Sequence, residues 1–324
     1  MTQLKFKDDV FTVSAGNTVL DTLLEQGHVI PNNCRAGACQ SCVMQVTKGN
    51  VPENSQKGLK DSQKAKGFFL ACSCSPEEDI HVQLIDTEQL RIPASVTKIN
   101  KLSTDVVELT IKMTDAFEYY AGQYVTLWKD DYLGRSYSIA SLPEKAEELC
   151  FHIRHVQDGQ FSGWVHNELT VGDTLSVQGP AGDCFYTAGN PEQNLLLIGT
   201  GTGLAPLYGI IHDALKQDHS GEIHLFHGAL NPGGLYLTIE LTRLAQQYRN
   251  FFYHPCVMNA EQSTLKNIVE GDISEIALAA VAKPKGWKSF LCGDENLVKV
   301  LKKKIFLAGS NMNDIYADPF IQSK

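Results

Sequence analysis

Four cysteines constrain this chain more than any other feature. Cys34, Cys39, Cys42 and Cys72 are spaced C-x4-C-x2-C-x29-C. Three thiolates on one tight loop, closed by a fourth from a distant strand, can cage a small inorganic cluster, and this spacing is the ligand run of a [2Fe–2S] centre. The small residues Ala36, Gly37, Ala38 and Ser41 let backbone N–H groups approach the sulfurs and tune the potential. The alternative is a four-cysteine zinc site. Zinc sites usually join two C-x2–4-C pairs, whereas the second pair here is C-x-C, Cys72 and Cys74. Cys74 reads as a small buried hydrophobe. Cys150, Cys184, Cys256 and Cys292 are scattered singly, so an evenly stapled disulfide framework is excluded.

The chain has 324 residues, enough for two or three domains at roughly 100–200 residues each. Its net charge of −9 argues against a nucleic-acid-binding protein, which usually carries a basic surplus. The opening MTQLKFKDDVFTV has no basic stretch followed by an apolar run, so no secretory signal is read. The most apolar stretch, 195–211, holds four glycines and Pro206 and is short for a membrane span. A cytoplasmic location is therefore expected, where clustered thiols serve metals or redox chemistry.

Hydrophobic periodicity divides the chain into 1–90, 91–190 and 191–324. In the first segment, LKF (4–6) and VFTV (10–13) alternate like strands. Val19, Leu20, Leu23 and Leu24 have helical spacing behind Asn17 or Thr18 as cap, and IHVQLI (80–85) alternates again. DTEQLRIP (86–93) reads as a linker. The second segment has six short strand-like runs, from SVTKI (95–99) to TLSVQGP (174–180), and one helical patch at 161–169, which predicts an all-β barrel or sandwich. In the third, LLLIG (195–199), IHLFHGA (223–229), FFYHPCVM (251–258) and SFLCG (289–293) alternate with helical runs at 204–215 and 239–248. That rhythm predicts a doubly wound parallel sheet.

Two further motifs carry chemistry. In RSYSIA (135–140), the planar fork of Arg135 suits a pyrophosphate. Tyr137 can lie against an isoalloxazine face, and the Ser138 hydroxyl can sit near flavin N5; Ser136 lies between them. An ordinary barrel strand would read the same way, but HIRHVQDGQFSGWVH (152–166) follows. His152, Ile153 and Arg154 open that string, and Gly159 and Ser162 stand where a helix N-terminus can hold a diphosphate. The second motif is GTGTGLAP (199–206), between an apolar strand and a helix. Gly199, Thr200, Gly201, Thr202 and Gly203 allow close approach to a second pyrophosphate, and Pro206 stands where a dinucleotide fingerprint carries glycine. His152, His155, His224 and His227 do not form a metal face at their i, i+3 spacings and read as packed or surface residues. The lysines at 302–304 read as a solvated helix face.

On these strings, residues 1–90 resemble a plant-type ferredoxin, through CRAGACQSC and LACSCSPEEDI. Residues 91–324 resemble the ferredoxin–NADP reductase family, through R-x-Y-S and G-T-G-x-x-P. The resemblance implies a β-grasp-like [2Fe–2S] domain, an FAD-binding β-barrel and an NAD(P)H-binding α/β domain. That order is similar to the reductase components of bacterial multicomponent oxygenases. It implies an oxidoreductase passing electrons from NADH to FAD, to [2Fe–2S] and on to a transiently docked partner oxygenase, acting as a monomer. Similar chains serve deoxysugar dehydratases, and a non-catalytic zinc-binding redox sensor is the alternative of another class. The family also carries a Cys-Gly pair near the nicotinamide, matched by Cys292 and Gly293, although Asp294 and Glu295 replace the usual following prolines. Its aromatic near the flavin is matched by Phe320. NADH is favoured over NADPH because no basic residue follows IHLFHGA until Arg243.

Overall fold

The computed structural model describes residues 2–59, 61–85, 91–115, 117–145, 147–260, 267–281 and 283–320. Three sheets follow one another along the chain, each built from one of the sequence segments.

The first sheet holds β1 (Thr2–Phe6), β2 (Asp9–Val13), β3 (Val43–Lys48), β4 (Phe68–Leu70) and β5 (Ile80–Leu84), in the order β2-β1-β5-β3-β4. β1 and β5 run parallel in the middle. Helix α1 (Val19–Glu25) lies on this sheet through Val19, Leu20 and Leu23, all fully buried. Its start is fixed by Thr18, whose side chain accepts from the Asp21 N–H while Asp21 reaches back to the Thr18 N–H. This capping box satisfies two N–H groups that the helix leaves unpaired. A short α2 (Asp61–Ala65) precedes β4. Cys72 sits in a 3-10 turn directly after β4, rather than on a strand.

The second sheet is antiparallel: β6 (Ile92–Lys101), β7 (Val106–Met113), β8 (Tyr124–Trp128), β9 (Gly134–Ser138), β10 (Glu148–Arg154) and β11 (Thr174–Ala181), in the order β10-β7-β6-β11-β8-β9. An Ile139–Phe151 bridge joins the end of β9 to β10 and closes the barrel. Leu109, Ile111, Val125, Leu127, Phe151 and Ile153 fill it, and α3 (Gln160–Asn167) packs Phe161, Trp164 and Val165 into the same core. The segment read as a linker splits. Residues 86–90 lie outside the described residues, but Ile92 and Pro93 belong to β6, opposite Val177 and Ser176. The barrel thus begins inside the stretch whose polarity suggested a connection.

The third sheet is entirely parallel, with β12 (Leu195–Thr200), β13 (Ile223–Ala229), β14 (Phe251–Val257), β15 (Val269–Glu270), β16 (Lys288–Asp294) and β17 (Ile315–Phe320) in the order β15-β14-β13-β12-β16-β17. Helices α4 (Leu204–Lys216), α5 (Thr238–Gln247), α6 (Ile273–Ala280) and α7 (Glu295–Leu307) connect the strands. Chain order reverses at β12, and such a switch point leaves a crevice at the strands' carboxyl ends. Sequence patterning passed over α6, β15 and β17. β17 reads IYADPF, with a polar centre and a proline that only an edge strand tolerates. On α7, Lys302 and Lys303 face solvent, while Lys304 is engaged by Ser274 and Glu275 of α6. No helix among the described residues is long and apolar enough to cross a membrane.

Candidate functional site

The cysteine loop is wound by three residues in the left-handed region of backbone geometry. Arg35, Gly37 and Gln40 all have positive φ, and at Gly37 a Cβ would lie 2.6 Å from Ser73 Oγ. The close winding turns N–H groups inward. Those of Ala36 and Cys39 donate to Cys34 Sγ, and that of Cys34 to Cys39 Sγ, each at 3.4 Å. The thiolate is favoured at one member of each contacting pair, Cys34 and Cys72. Their partners Cys39 and Cys42 are pushed up, first by those same hydrogen bonds and then by burial. The Cys34 thiol is lowered to about 5, first by its hydrogen bond with Cys39 and then, against burial, by backbone N–H groups. Cys72 is lowered to about 7, first by its contact with Cys42. Cys74, by contrast, is fully buried among apolar side chains, and burial pushes its thiol up to about 12.

The arrangement of the sulfurs suits a two-iron cluster. Cys34 contacts Cys39 and Cys42 contacts Cys72, giving two pairs. Around one zinc ion all four sulfurs would stand roughly 3.8 Å apart, given Zn–S bonds of about 2.3 Å. Among the described residues, the one trio of ligand atoms mutually within 4.8 Å is Glu108, Cys150 and His152, so no three of these four thiols are that close. Two pairs held apart suit two irons with two thiolates each. Glu108 of the unrelated trio is already held by Lys98 at 3.0 Å.

One cleft of about 1420 Å³ runs from this loop across the barrel to the parallel sheet. Asn33, Cys34 and Cys39 line one end. Arg135, Ser136, Tyr137, Ser138, His152, Arg154, Gly159 and Ser162 line the barrel side, and Thr200, Gly201, Thr202, Gly293 and Phe320 the sheet side. Cys42 and Cys72 of the thiol run do not line it, and neither do five residues of the flavin and nucleotide motifs. Ile153 is in the barrel core, and Gly199, Gly203, Pro206 and Cys292 stand behind the lining. Gly203 is needed for packing: a Cβ there would lie 2.3 Å from the Cys292 carbonyl oxygen. Ser162 is turned inward, accepting from the Val156 N–H and donating to the Gly159 carbonyl, so it shapes the loop before α3. The Ser136 hydroxyl is engaged by Thr126 and Asn33.

The cleft walls are joined by polar contacts that no sequence motif announced. Ser138 Oγ donates to Asp318 Oδ2 at 3.1 Å, linking β9 to β17. Burial pushes the Asp318 carboxyl up to about 6, with the Ser138 hydrogen bond acting against it. Asp318 lies opposite Cys292 in the β16–β17 register, and Cys292 Sγ is 3.8 Å from Cys184 Sγ. His152 Nδ1 is 3.1 Å from Tyr236 OH, and burial lowers the imidazole to about 4, which keeps it neutral at pH 7. Arg154 pairs with Asp105 at 3.1 Å and lies against Gly201, where a Cβ would meet its guanidinium at 2.7 Å. The donors fit a dinucleotide flavin beside a nicotinamide nucleotide. A guanidinium and a helix N-terminus face one wall, and a glycine turn at the switch point faces the other.

Comparison with known proteins agrees with this geometry. Residues 5–77 match a 2Fe-2S iron-sulfur cluster binding domain, 93–186 an oxidoreductase FAD-binding domain and 197–303 an oxidoreductase NAD-binding domain. The chain is 29% identical over 314 residues to the ferredoxin–NAD(P)(+) reductase component of the Ralstonia naphthalene 1,2-dioxygenase/salicylate 5-hydroxylase systems, covering 95% of this chain and 94% of that one. It is 30% identical to a terephthalate 1,2-dioxygenase reductase component of Comamonas, over 76% and 75% of the two chains. Among solved structures, an Amycolatopsis cytochrome P450 reductase superposes with a TM-score of 0.70 at 26% identity, with 99% of each chain covered. The chain therefore belongs to the NAD(P)H-dependent iron–sulfur flavoprotein reductases, in which a [2Fe–2S] ferredoxin domain is joined to an FAD- and NAD-binding ferredoxin–reductase core.

Proposed function

We propose that this protein is the NADH-dependent reductase of a multicomponent oxygenase, delivering electrons singly to a separate terminal protein. The observation that carries the reading is the single cleft on which cluster loop, flavin strand and nucleotide turn all open. Relatives named as reductase components of aromatic-ring dioxygenases, phenol hydroxylase and xylene/toluene monooxygenase support an oxygenase as acceptor. Held there, FAD would supply acceptance of an electron pair from the nicotinamide and a [2Fe–2S] cluster would supply one-electron carriage.

The chain's own residues bind and orient. Cys34, Cys39, Cys42 and Cys72 hold the cluster. Arg135 and the N-terminus of α3 behind Gly159 take the flavin diphosphate, while Tyr137 and Phe320 cover the flavin ring. Thr200, Gly201 and Thr202 receive the nicotinamide nucleotide, with Cys292 supporting the wall behind Gly293. Ser138 is oriented by Asp318 beside the reacting face. The preference for NADH rests on charge. Among the described residues, the cations lining the cleft are Arg135 and Arg154, and neither stands at Leu230 and Asn231, where β13 ends and a 2′-phosphate would fall. Five cysteines outside the ligand run, none of them in a disulfide, support a cytoplasmic setting.

The reading is tested by steady-state reduction of cytochrome c, followed by transfer to candidate terminal oxygenases. A higher kcat/KM for NADH than for NADPH is expected, by a modest factor because no acidic residue follows β13 until Glu240. Equal values or a preference for NADPH overturn the nucleotide assignment. NADH-driven turnover of a deoxysugar dehydratase with no transfer to any oxygenase overturns the partner assignment.

A further inference from the structure

We propose that Thr126, Ser136 and Gln178 form a latch holding the cluster loop against the flavin strand, and so act as positioning residues for electron transfer between the two centres. The inference rests on the proposed electron path and adds the device that sets its geometry.

The hydrogen-bond directions are forced. Asn33 Nδ2 can only donate, and it reaches Ser136 Oγ at 3.1 Å. The carbonyl oxygen of Cys39 can only accept, and it receives Thr126 Oγ1–H at 3.3 Å. The Ser136 hydroxyl, 3.1 Å from Thr126 Oγ1, must therefore donate to it. A directional chain thus leaves the cluster loop at Asn33, crosses two barrel hydroxyls and returns to the loop at Cys39. Aligned chains of this kind strengthen one another where water is excluded, and Thr126 is 1% exposed.

One residue further on, Gln178 Nε2 donates to the Gln40 carbonyl at 3.1 Å. Its other end is fixed, because Oε1 accepts from Trp128 Nε1 at 3.0 Å and an indole can only donate. Trp128 is itself held by the Arg91 guanidinium, 3.7 Å from the ring centroid. The β11 register shifts between Gln178 and Ala181, the kind of irregularity that re-aims a side chain out of a sheet.

The barrel therefore grips two consecutive carbonyls, those of Cys39 and Gln40, inside the ligand run. Ser136 stands between Arg135 and Tyr137 on the strand that lines the flavin cleft. Electron transfer falls exponentially with separation, so a latch from that strand to the ligand loop acts on the internal transfer step and leaves nicotinamide oxidation untouched.

Thr126→Val and Gln178→Leu, each loaded with FAD and cluster, are mixed with NADH in a stopped-flow spectrometer. Flavin bleaching and ferricyanide reduction are expected at wild-type rates, with cluster reduction slowed in both variants. Hydrogen exchange over residues 34–42 is expected to rise in both variants, and Thr126→Ser, which keeps the hydroxyl, to restore wild-type behaviour. Wild-type cluster reduction together with unchanged exchange in either variant overturns the latch. A wild-type protein whose cluster is not reduced by NADH at all overturns the electron path itself.

Discussion

Two cysteines two positions apart have opposite surroundings. Cys72 faces Cys42 and the N–H groups of the loop, whereas Cys74 is sealed in the apolar core of the first domain. Cys72→Ser should abolish the cluster's visible absorption. Cys74→Ser should keep it and lower stability by about 1–2 kcal/mol through a buried hydroxyl. Iron content and thermal unfolding check both, and loss of the cluster in Cys74→Ser alone would reassign the fourth ligand. Asp318 makes a pH-dependent prediction. Its folded pKa of about 6 lies above the ordinary carboxyl value near 4, so the folded protein binds that proton more tightly. Stability is then lost as pH rises from about 4 through 6 and stays lower above. Asp318→Asn should raise unfolding stability by about 1–2 kcal/mol at pH 8, allowing for the side chain's partial exposure, and change it little at pH 4. An equal effect at both pH values would mean that the buried charge is not the cause.

Among the elements, the turn from β12 into α4 is the most tightly specified. Gly203 leaves no room for a side chain because the β16 backbone at Cys292 lies against it. Gly203→Ala must push β16 away from β12 at the end where the nucleotide enters. A rise of about tenfold or more in KM for NADH is expected, with FAD retained and a stability loss of about 1–3 kcal/mol. Steady-state kinetics and flavin content check this. Element legibility tracks burial pattern. LLLIG and IHLFHGA are buried nearly throughout and announce parallel strands, as the structure bears out at β12 and β13. β17, polar and carrying Pro319, gives no such signal, and it is the strand that brings Asp318 to the cleft.

At the scale of the whole molecule, the chain reads as a reductase core to which an electron carrier is docked. A fragment running from residue 91 to 324 should bind FAD and reduce ferricyanide with NADH while failing to reduce cytochrome c. Starting at residue 94 should cost flavin retention, because it removes Ile92 and Pro93 from β6 and the Arg91 contact with Trp128. Flavin content of the two fragments decides the point, and equal retention would show that those pairings do not hold the barrel closed.

The sequence by itself determined the order of three domains and pointed to the cluster ligands, the flavin strand and the nucleotide turn. Each is a local pattern: thiol spacing, an arginine–aromatic–hydroxyl strand, or glycines between strand and helix. Only the tertiary structure decided which side chains cross between domains. Asp318 meets Ser138 across 180 positions, His152 meets Tyr236 across 84 and Gln178 meets Gln40 across 138. Such contacts have no periodicity to read, because they arise where separately folded surfaces meet. The same reason explains Ser136, a cleft residue by its place in the motif, whose hydroxyl the packed molecule commits to the cluster loop.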